Sequence, residues 1–287
     1  MRPVPQSAVL LVSCADKPGI VASVTAFFAR HNGNILDLEQ HSDDESHLFF
    51  MRLEWDLRGF ALTLDDVHRE FQPIAQQFGM QWQLCRRDTR ARVAIFVTRE
   101  PHCLVELLAR QRAGEWPADI PLVVSNREDL RGVAEQFNVP FHCLPVSPDN
   151  KSAQEAAAKA LLKEHNIDLV VLARYMQIVT ADFIRDYPNR MINIHHSFLP
   201  AFPGARPYRQ AHTRGVKVIG ATSHYVTEDL DAGPIIEQDI ARISHRDSVE
   251  DLIRKGRDIE KIVLARAVTA HLEHRVLVHD NRTIVFQ

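Results

Sequence analysis

The sequence predicts an α/β fold in two parts, a small βαββαβ module over residues 1–86 and a larger, mostly parallel open sheet over residues 87–287. Three observations carry it. From residue 91 onward, β-prone apolar runs alternate with helical runs, which calls for βαβ crossovers and helices on both faces of a sheet. A short charged linker, Arg86-Arg87-Asp88-Thr89-Arg90, separates this alternation from a first segment with a different element order. Two extended segments end in clustered polar chemistry, Asn193-Ile194-His195 and Asp231-Ala232-Gly233-Pro234, and strand ends are where open α/β sheets bind ligands.

In chain order, residues 8–14 form an apolar strand. Asp16 can cap a helix with Pro18 near its first turn, and Ile20 to Phe28 supplies helical apolar spacing that stops at His31-Asn32-Gly33. Residues 34–41 and 48–55 read as strands about an acidic turn, 64–78 as a helix and 80–85 as a last strand, the order of a ferredoxin-like split βαβ unit. Beyond the linker, 91–98, 121–125, 139–144 and 167–173 read as strands, with helices at 127–138 and 152–165. Ser152 and Glu155 have the spacing of a capping box. Residues 191–197 and 220–226 add further strands to this Rossmann-like sheet, 248–271 forms a long helix, and 275–286 is a hairpin turning at Asp280-Asn281.

The composition excludes several classes of function. A chain of 287 residues that is 45% hydrophobic can bury sizeable cores. Its formal net charge is −3, with acids and bases interleaved, so the footprint of a nucleic-acid binder is missing. No stretch approaches a membrane span. Ser13, Asp16, Lys17 and Pro18 interrupt any secretory apolar region, which predicts a cytoplasmic protein. Cys14, Cys85, Cys103 and Cys143 are widely spaced without a C-x-x-C pair, which reads as free thiols. No metal is expected, since no H-E-x-x-H spacing occurs and adjacent His195 and His196 would point to opposite faces of a strand. Arg206, Arg209, Arg214 and Lys217 are either solvated surface charge or contacts for an anionic ligand tail.

If 191–197 is a strand, its period of two puts the Asn193 amide and the His195 imidazole on one face. With Asp231, an amide donor, a titratable ring and a carboxylate could converge. Those groups polarise a small carbonyl, hold the oxyanion that forms and deprotonate an attacking water. Taken singly, each residue is ordinary. The loop from His196 to Gly204, too rich in Pro, Gly and aromatic residues to continue the strand, shifts the balance towards a site.

These residues carry a resemblance. Asn193-Ile194-His195-His196-Ser197-Phe198-Leu199-Pro200, His224-Tyr225-Val226 and Asp231-Ala232-Gly233-Pro234-Ile235-Ile236 resemble the signature of the folate-dependent formyltransferase family, over roughly residue 92 to the C-terminus. The resemblance implies that Asn193, His195 and Asp231 are the catalytic set for a formyl group on a folate nitrogen. Asn193 and His195 would stabilise the oxyanion, and Asp231 would orient His195 and help to take a proton from the nucleophile. It also implies a pterin-binding loop at 172–179, with Met176, Ile178 and Val179 against the ring and Val226, Leu230 and Gly233 completing the pocket. Met176 and Ile178 are equally compatible with a core at a strand-to-helix junction. No cofactor beyond the folate substrate is implied.

The acceptor divides the family. The stretch from Phe96 to Leu104 contains no glycine, Glu100 adds negative charge and Pro101 lacks an N–H, all of which argue against a phosphate cradle. After the long helix there is only about a hairpin, against the substantial C-terminal domain of tRNA-acting members. Water is left as acceptor. The implied reaction is hydrolysis of 10-formyltetrahydrofolate to tetrahydrofolate and formate, supplying formate for purine synthesis and balancing the one-carbon pool. His196, where ribonucleotide-acting members often have proline, either helps to exclude a bulky acceptor or is a surface histidine beside a loop. The alternatives are a glycinamide ribonucleotide formyltransferase with a different phosphate site and a non-catalytic folate or amino-acid sensor, against which the intact Asn193, His195 and Asp231 argue.

Asp16-Lys17-Pro18-Gly19-Ile20 followed by Asn32-Gly33-Asn34-Ile35 resembles the ACT domain, over residues 6–86. These are small regulatory modules that often bind amino acids between paired copies. The resemblance implies a homo-oligomer and an effector site at Asp16, Gly19, Asn34 and Ile35, with glycine or methionine as the amino acid. Equally, Pro18 and Gly19 shape a turn and Asp16 caps the helix.

Overall fold

A computed structural model describes residues 6–201 and 207–287. Two compact units emerge. One runs to Arg90 and takes in Glu273–Leu277 and Ile284–Gln287; the other comprises Ala91–Leu272 and Val278–Thr283.

The first unit contains β1 (Ser7–Ala15), α1 (Ile20–Arg30), β2 (Asn34–Asp43), β3 (Leu48–Asp56), α2 (Leu64–Phe78) and β4 (Gln81–Arg86). Its four-stranded sheet has the order β2-β3-β1-β4, the interleaving of a split βαβ unit. Leu10 and Val12 face a core that includes Phe27, Phe28, Trp55 and Phe71. Val9 and Leu11 face the opposite side, where they meet Phe50, Cys85, Leu277 and Phe286. Burial on both faces explains why β1 reads as an unbroken apolar run. The division therefore differs from a cut at residue 86/87, because C-terminal side chains complete the second face of this sheet.

Asp16 does not cap α1. Gly19 is the N-cap, with φ at 93°, and no side chain bonds there; the Asp16 N–H donates instead to the His47 carbonyl at 2.9 Å.

The second unit holds β5 (Ala91–Val97), α3 (His102–Arg112), β6 (Ala118–Ser125), α4 (Arg131–Gln136), β7 (Phe141–Cys143), α5 (Lys151–Glu164), β8 (Leu169–Leu172), α6 (Ala181–Arg185), β9 (Met191–His195), α7 (Pro207–Arg214), β10 (Val218–Tyr225), β11 (Ile235–Arg242) and α8 (Val249–Leu272). A terminal hairpin, β12 (Val276–His279) and β13 (Arg282–Val285), follows. The seven strands run in the order β11-β10-β9-β8-β5-β6-β7. Strands β5 to β9 pair in parallel and β10 and β11 antiparallel. The chain moves outward from β5 to β7 and returns to β8 on the other side of β5, a switch point that opens a crevice at the carboxyl ends of these strands.

Sequence periodicity missed α3, α6, α7 and β11. Helix α3 does carry an apolar stripe, Cys103, Leu104, Leu107 and Leu108, whereas α7 is polar and β11 is an edge strand with much of its length exposed. The Ser152–Glu155 capping box does not form, since α5 begins at Asn150 without a side-chain cap. The Glu155 carboxylate instead accepts from the Thr180 N–H at 3.1 Å and from Thr180 Oγ1 at 2.5 Å, tying down the segment that follows β8.

Candidate active site

Strand β9 ends at His195, and its parallel pairing puts Leu172 of β8 beside Asn193. Antiparallel pairing puts His224 of β10 on the other side of Asn193. Asp231 sits in the β10–β11 connection with φ at 55°, a left-handed conformation that Asp tolerates better than most residues. Gly233 closes the same connection so tightly that a Cβ there would lie 1.8 Å from the Tyr225 carbonyl oxygen.

The three expected residues converge. His195 Nδ1 lies 3.3 Å from Asp231 Oδ2. The hydrogen bond from His195 is the largest influence on Asp231 and holds its carboxyl below the usual carboxylate range, against the opposing effect of partial burial. With the Nδ1 proton directed at that carboxylate, His195 Nε2 is left buried and without a partner among the described residues, in the wall of a cavity of about 600 Å³.

Sequence reasoning quoted His224 but gave it no role. Its Nδ1 lies 2.9 Å from the Tyr225 carbonyl, which can only accept, so Nδ1 carries the proton. Burial pushes the His224 pKa down and keeps the ring neutral, and its Nε2 then accepts from Asn193 Nδ2 at 3.2 Å. This fixes the amide and leaves its second N–H for a ligand. The signal was available in the period of two along 220–226, which pairs His224 with Asn193 once β9 and β10 are neighbours.

Met176, Ile178, Val179, Val226 and Leu230 all line the cavity. Met176 is 56% exposed, Ile178 68% and Leu230 66%, so these three form an apolar lip and not a core. The lip is held from below, where the Met176 N–H donates to Thr98 Oγ1 at 3.0 Å and Lys151 Nζ bonds the Ile178 carbonyl. Gly233 is not among the cavity-lining residues; its role is the close approach to Tyr225. Arg209, Arg214 and Lys217 are exposed and do not line the cavity, while Arg206 lies outside the described residues.

His196 corrects a second expectation. Because the strand stops at His195, the two neighbouring rings do not point to opposite faces but stack, with centroids 5.2 Å apart and 27° between planes. Both line the cavity.

The remaining wall is a buried polar cluster that sequence reasoning did not assemble. Glu260 of α8 is 1% exposed. Its Oε1 accepts from the Tyr208 hydroxyl, while its Oε2 lies 2.8 Å from His102 Nε2 and 3.4 Å from Arg174 Nε. Burial raises its pKa, but the bond from His102, the charge of Arg174 and the bond from Tyr208 together outweigh it, so the net shift is downward and Glu260 is ionised. Ligand atoms of His102, Cys103 and Glu260 come within 4.8 Å of one another. The donor set does not fit a cation, because Arg174 already neutralises the carboxylate and burial pushes the Cys103 thiol far up.

The four expected effector residues are not brought together within one chain. Asn34 of β2 and Ser7 of β1 both pair with Asp56, whereas Ala15 pairs with Leu48. The loop of Asp16 and Gly19 and the strand start of Asn34 and Ile35 therefore lie at opposite ends of the sheet, roughly 25 Å apart at about 3.4 Å per residue.

An open α/β sheet whose strand ends present an amide, a carboxylate-held imidazole and an apolar lip is the architecture of an enzyme acting on a small carbonyl carried by a flat ligand. Residues 91–268 match the formyl transferase family and residues 8–71 the ACT domain. A formyltetrahydrofolate deformylase from Synechocystis is 55% identical, over 98% of both chains. The crystal structure of a formyltetrahydrofolate deformylase from Pseudomonas syringae pv. tomato superposes with a TM-score of 0.94 at 50% identity, covering 98% of this chain and 94% of that one. A glycinamide ribonucleotide transformylase from Symbiobacterium toebii is more distant, with a TM-score of 0.65 and 33% identity over 69% of this chain and 95% of its own. The chain belongs to the formyltetrahydrofolate deformylase family.

Proposed function

We propose that this enzyme hydrolyses 10-formyltetrahydrofolate to tetrahydrofolate and formate, with water as the formyl acceptor. The observation that carries the reading is the buried, unpartnered His195 Nε2 facing a cavity while Asp231 holds Nδ1. Near-full-length kinship with deformylases supports it.

The N10-formyl group is amide-like, so attack on its carbon needs oxyanion stabilisation and a base. We assign the free Asn193 N–H to the oxyanion and His195 Nε2 to the proton of the attacking water. The Asp231 carboxylate stabilises the imidazolium that results. As the C–N10 bond breaks, His195 returns the proton to N10, and formate and tetrahydrofolate leave. The apolar lip of Met176, Ile178 and Leu230 supplies packing for the flat folate ring. No cofactor beyond the folate is needed for these steps. The product formate serves purine synthesis and the balance of the one-carbon pool.

The test is formate release by the purified protein, first with no acceptor and then with glycinamide ribonucleotide. Acceptor-independent release supports hydrolysis; turnover only with the ribonucleotide overturns it in favour of transfer.

For the ACT unit we propose amino-acid binding, with glycine and methionine as the first ligands to titrate by calorimetry. The separation of Asp16 and Gly19 from Asn34 and Ile35 favours a site completed by a second copy, hence a homo-oligomer, which light scattering with and without ligand checks. We assign the protein to the cytoplasm on its thiols Cys14, Cys85, Cys103 and Cys143, all free, the state that a reducing compartment maintains.

A further inference from the structure

Water is a demanding acceptor to orient. A larger acceptor can bring groups that anchor it, whereas water has only its own hydrogen bonds, so the protein must supply partners beyond the base that takes its proton. On the side of the cavity next to His195, several polar groups face the buried Glu260 carboxylate. The Tyr208 hydroxyl and His102 Nε2 bond it, Arg174 Nε lies 3.4 Å from it as an ion pair without a hydrogen bond, and Asn193 has one N–H committed to His224.

His196 differs. It lines the cavity, stacks on His195 at 5.2 Å and stands 6.1 Å from the Tyr208 ring. Its ring makes no hydrogen bond to any described residue. Burial, and then the Arg174 charge, lower its pKa to about 4, so at neutral pH it offers one N–H and one lone pair and adds no positive charge beside the His195 imidazolium.

We propose that His196 is a positioning residue that holds the hydrolytic water beside His195 Nε2. The assignment rests on the deformylase reading above. It gives a chemical role to the second histidine of the Asn193–His196 run: the ring directs water, the weaker and unanchored nucleophile, onto the formyl carbon, and the Glu260 cluster behind it fixes the wall on which the ring rests.

The experiment compares His196→Phe, His196→Ala and His196→Asn in the full-length protein. Formate release is measured from 10-formyltetrahydrofolate alone, and formylhydroxamate formation after adding hydroxylamine. Hydroxylamine attacks the same carbon through nitrogen, breaks the same C–N10 bond and is a stronger nucleophile that depends less on orientation. Phe keeps the stacked ring without its nitrogens. Expected are a fall in kcat for water of about tenfold or more in the Phe and Ala variants, as for the loss of one orienting contact, with little change in KM for the folate. The ratio of hydroxamate to formate rises in both variants, and His196→Asn, which restores a donor and an acceptor, recovers part of the hydrolysis. Hydrolysis by His196→Phe close to that of the wild type overturns the proposal. So does an equal loss with both nucleophiles, because that would place the effect on His195 or the folate. Absence of acceptor-free formate release by the wild type would overturn the deformylase reading itself.

Discussion

Replacing Asp231 by Asn keeps the shape of the side chain and removes its charge. Asn is the substitution to choose because it tolerates the left-handed backbone, φ 55°, at this position, whereas Ala would add strain. The carboxylate oxygen lies 3.3 Å from His195 Nδ1. Two unit charges at that separation interact by about 5 kcal/mol at an effective dielectric near 20. The Asp231 side chain is 20% exposed, so solvent screening reduces this to roughly 2–3 kcal/mol. That range corresponds to a loss of about 30- to 150-fold in kcat, counting tenfold per 1.4 kcal/mol. A second effect acts in the same direction, since the Asn amide can donate to Nδ1 and drive the imidazole proton onto Nε2, where the base is needed. The assay is formate release at saturating 10-formyltetrahydrofolate, with folate binding followed separately by quenching of intrinsic fluorescence. Turnover within about fivefold of the wild type, less than 1 kcal/mol, would refute the role given to Asp231; a large loss with folate binding intact is the expected result.

Gly233→Ala sets a Cβ 1.8 Å from the Tyr225 carbonyl oxygen, so the connection bearing Asp231 must move, and displacements near 1 Å cost up to about 10²-fold in rate; kcat should fall with the circular dichroism spectrum unchanged. Gly256→Ala would add about 1 kcal/mol of helix propensity in isolation, but its Cβ would lie 2.1 Å from the Tyr208 hydroxyl. Displacing Tyr208 from the buried Glu260 carboxylate costs more, so a fall in Tm of about 4–8 °C is expected for a net loss near 2 kcal/mol, and a rise in Tm would refute the pairing. In the ACT unit, Glu54 accepts from Ser7 at 2.7 Å, Arg52 at 2.7 Å and Arg87 at 2.8 Å. Burial opposes ionisation there, but these partners outweigh it and the pKa is lowered. Glu54→Gln should therefore destabilise by roughly 3–5 kcal/mol in urea at pH 7. The difference should persist down to the unfolded-state value of about 4.3 and shrink below it, as the wild-type carboxyl takes its proton in the folded state; a difference that grows on acidification would contradict the sign.

Much of this protein was legible in its residues because the signals are local. The alternation of 34–41 and 48–55, the apolar spacing of 64–78 and 248–271, and the turn at Asp280-Asn281 all express periods set by backbone geometry, and β2, β3, α2, α8 and the terminal hairpin follow them closely. Local capping was less secure. Asp16 and Ser152 had the right residue type, yet Gly19 and Asn150 take the caps, since several neighbouring polar groups compete for the same few backbone donors. The glycine-free stretch before α3 drew attention to missing phosphate donors and hid a helix whose apolar stripe was present.

The sequence by itself determined that Asn193 and His195 share a face and that Asp231 follows a strand, because a period of two and the end of an apolar run need nothing beyond near neighbours. Only the tertiary structure decided that Asp231 meets Nδ1 and leaves Nε2 to the cavity, that His224 fixes the Asn193 amide, and that His102 and Glu260, 158 residues apart, share a buried hydrogen bond. It also decided that Leu277 and Phe286 cover the second face of a sheet built from the first 86 residues. Contacts of that kind depend on strand order and on which faces are packed together, quantities fixed by burial over the whole chain and carried by no single segment of it.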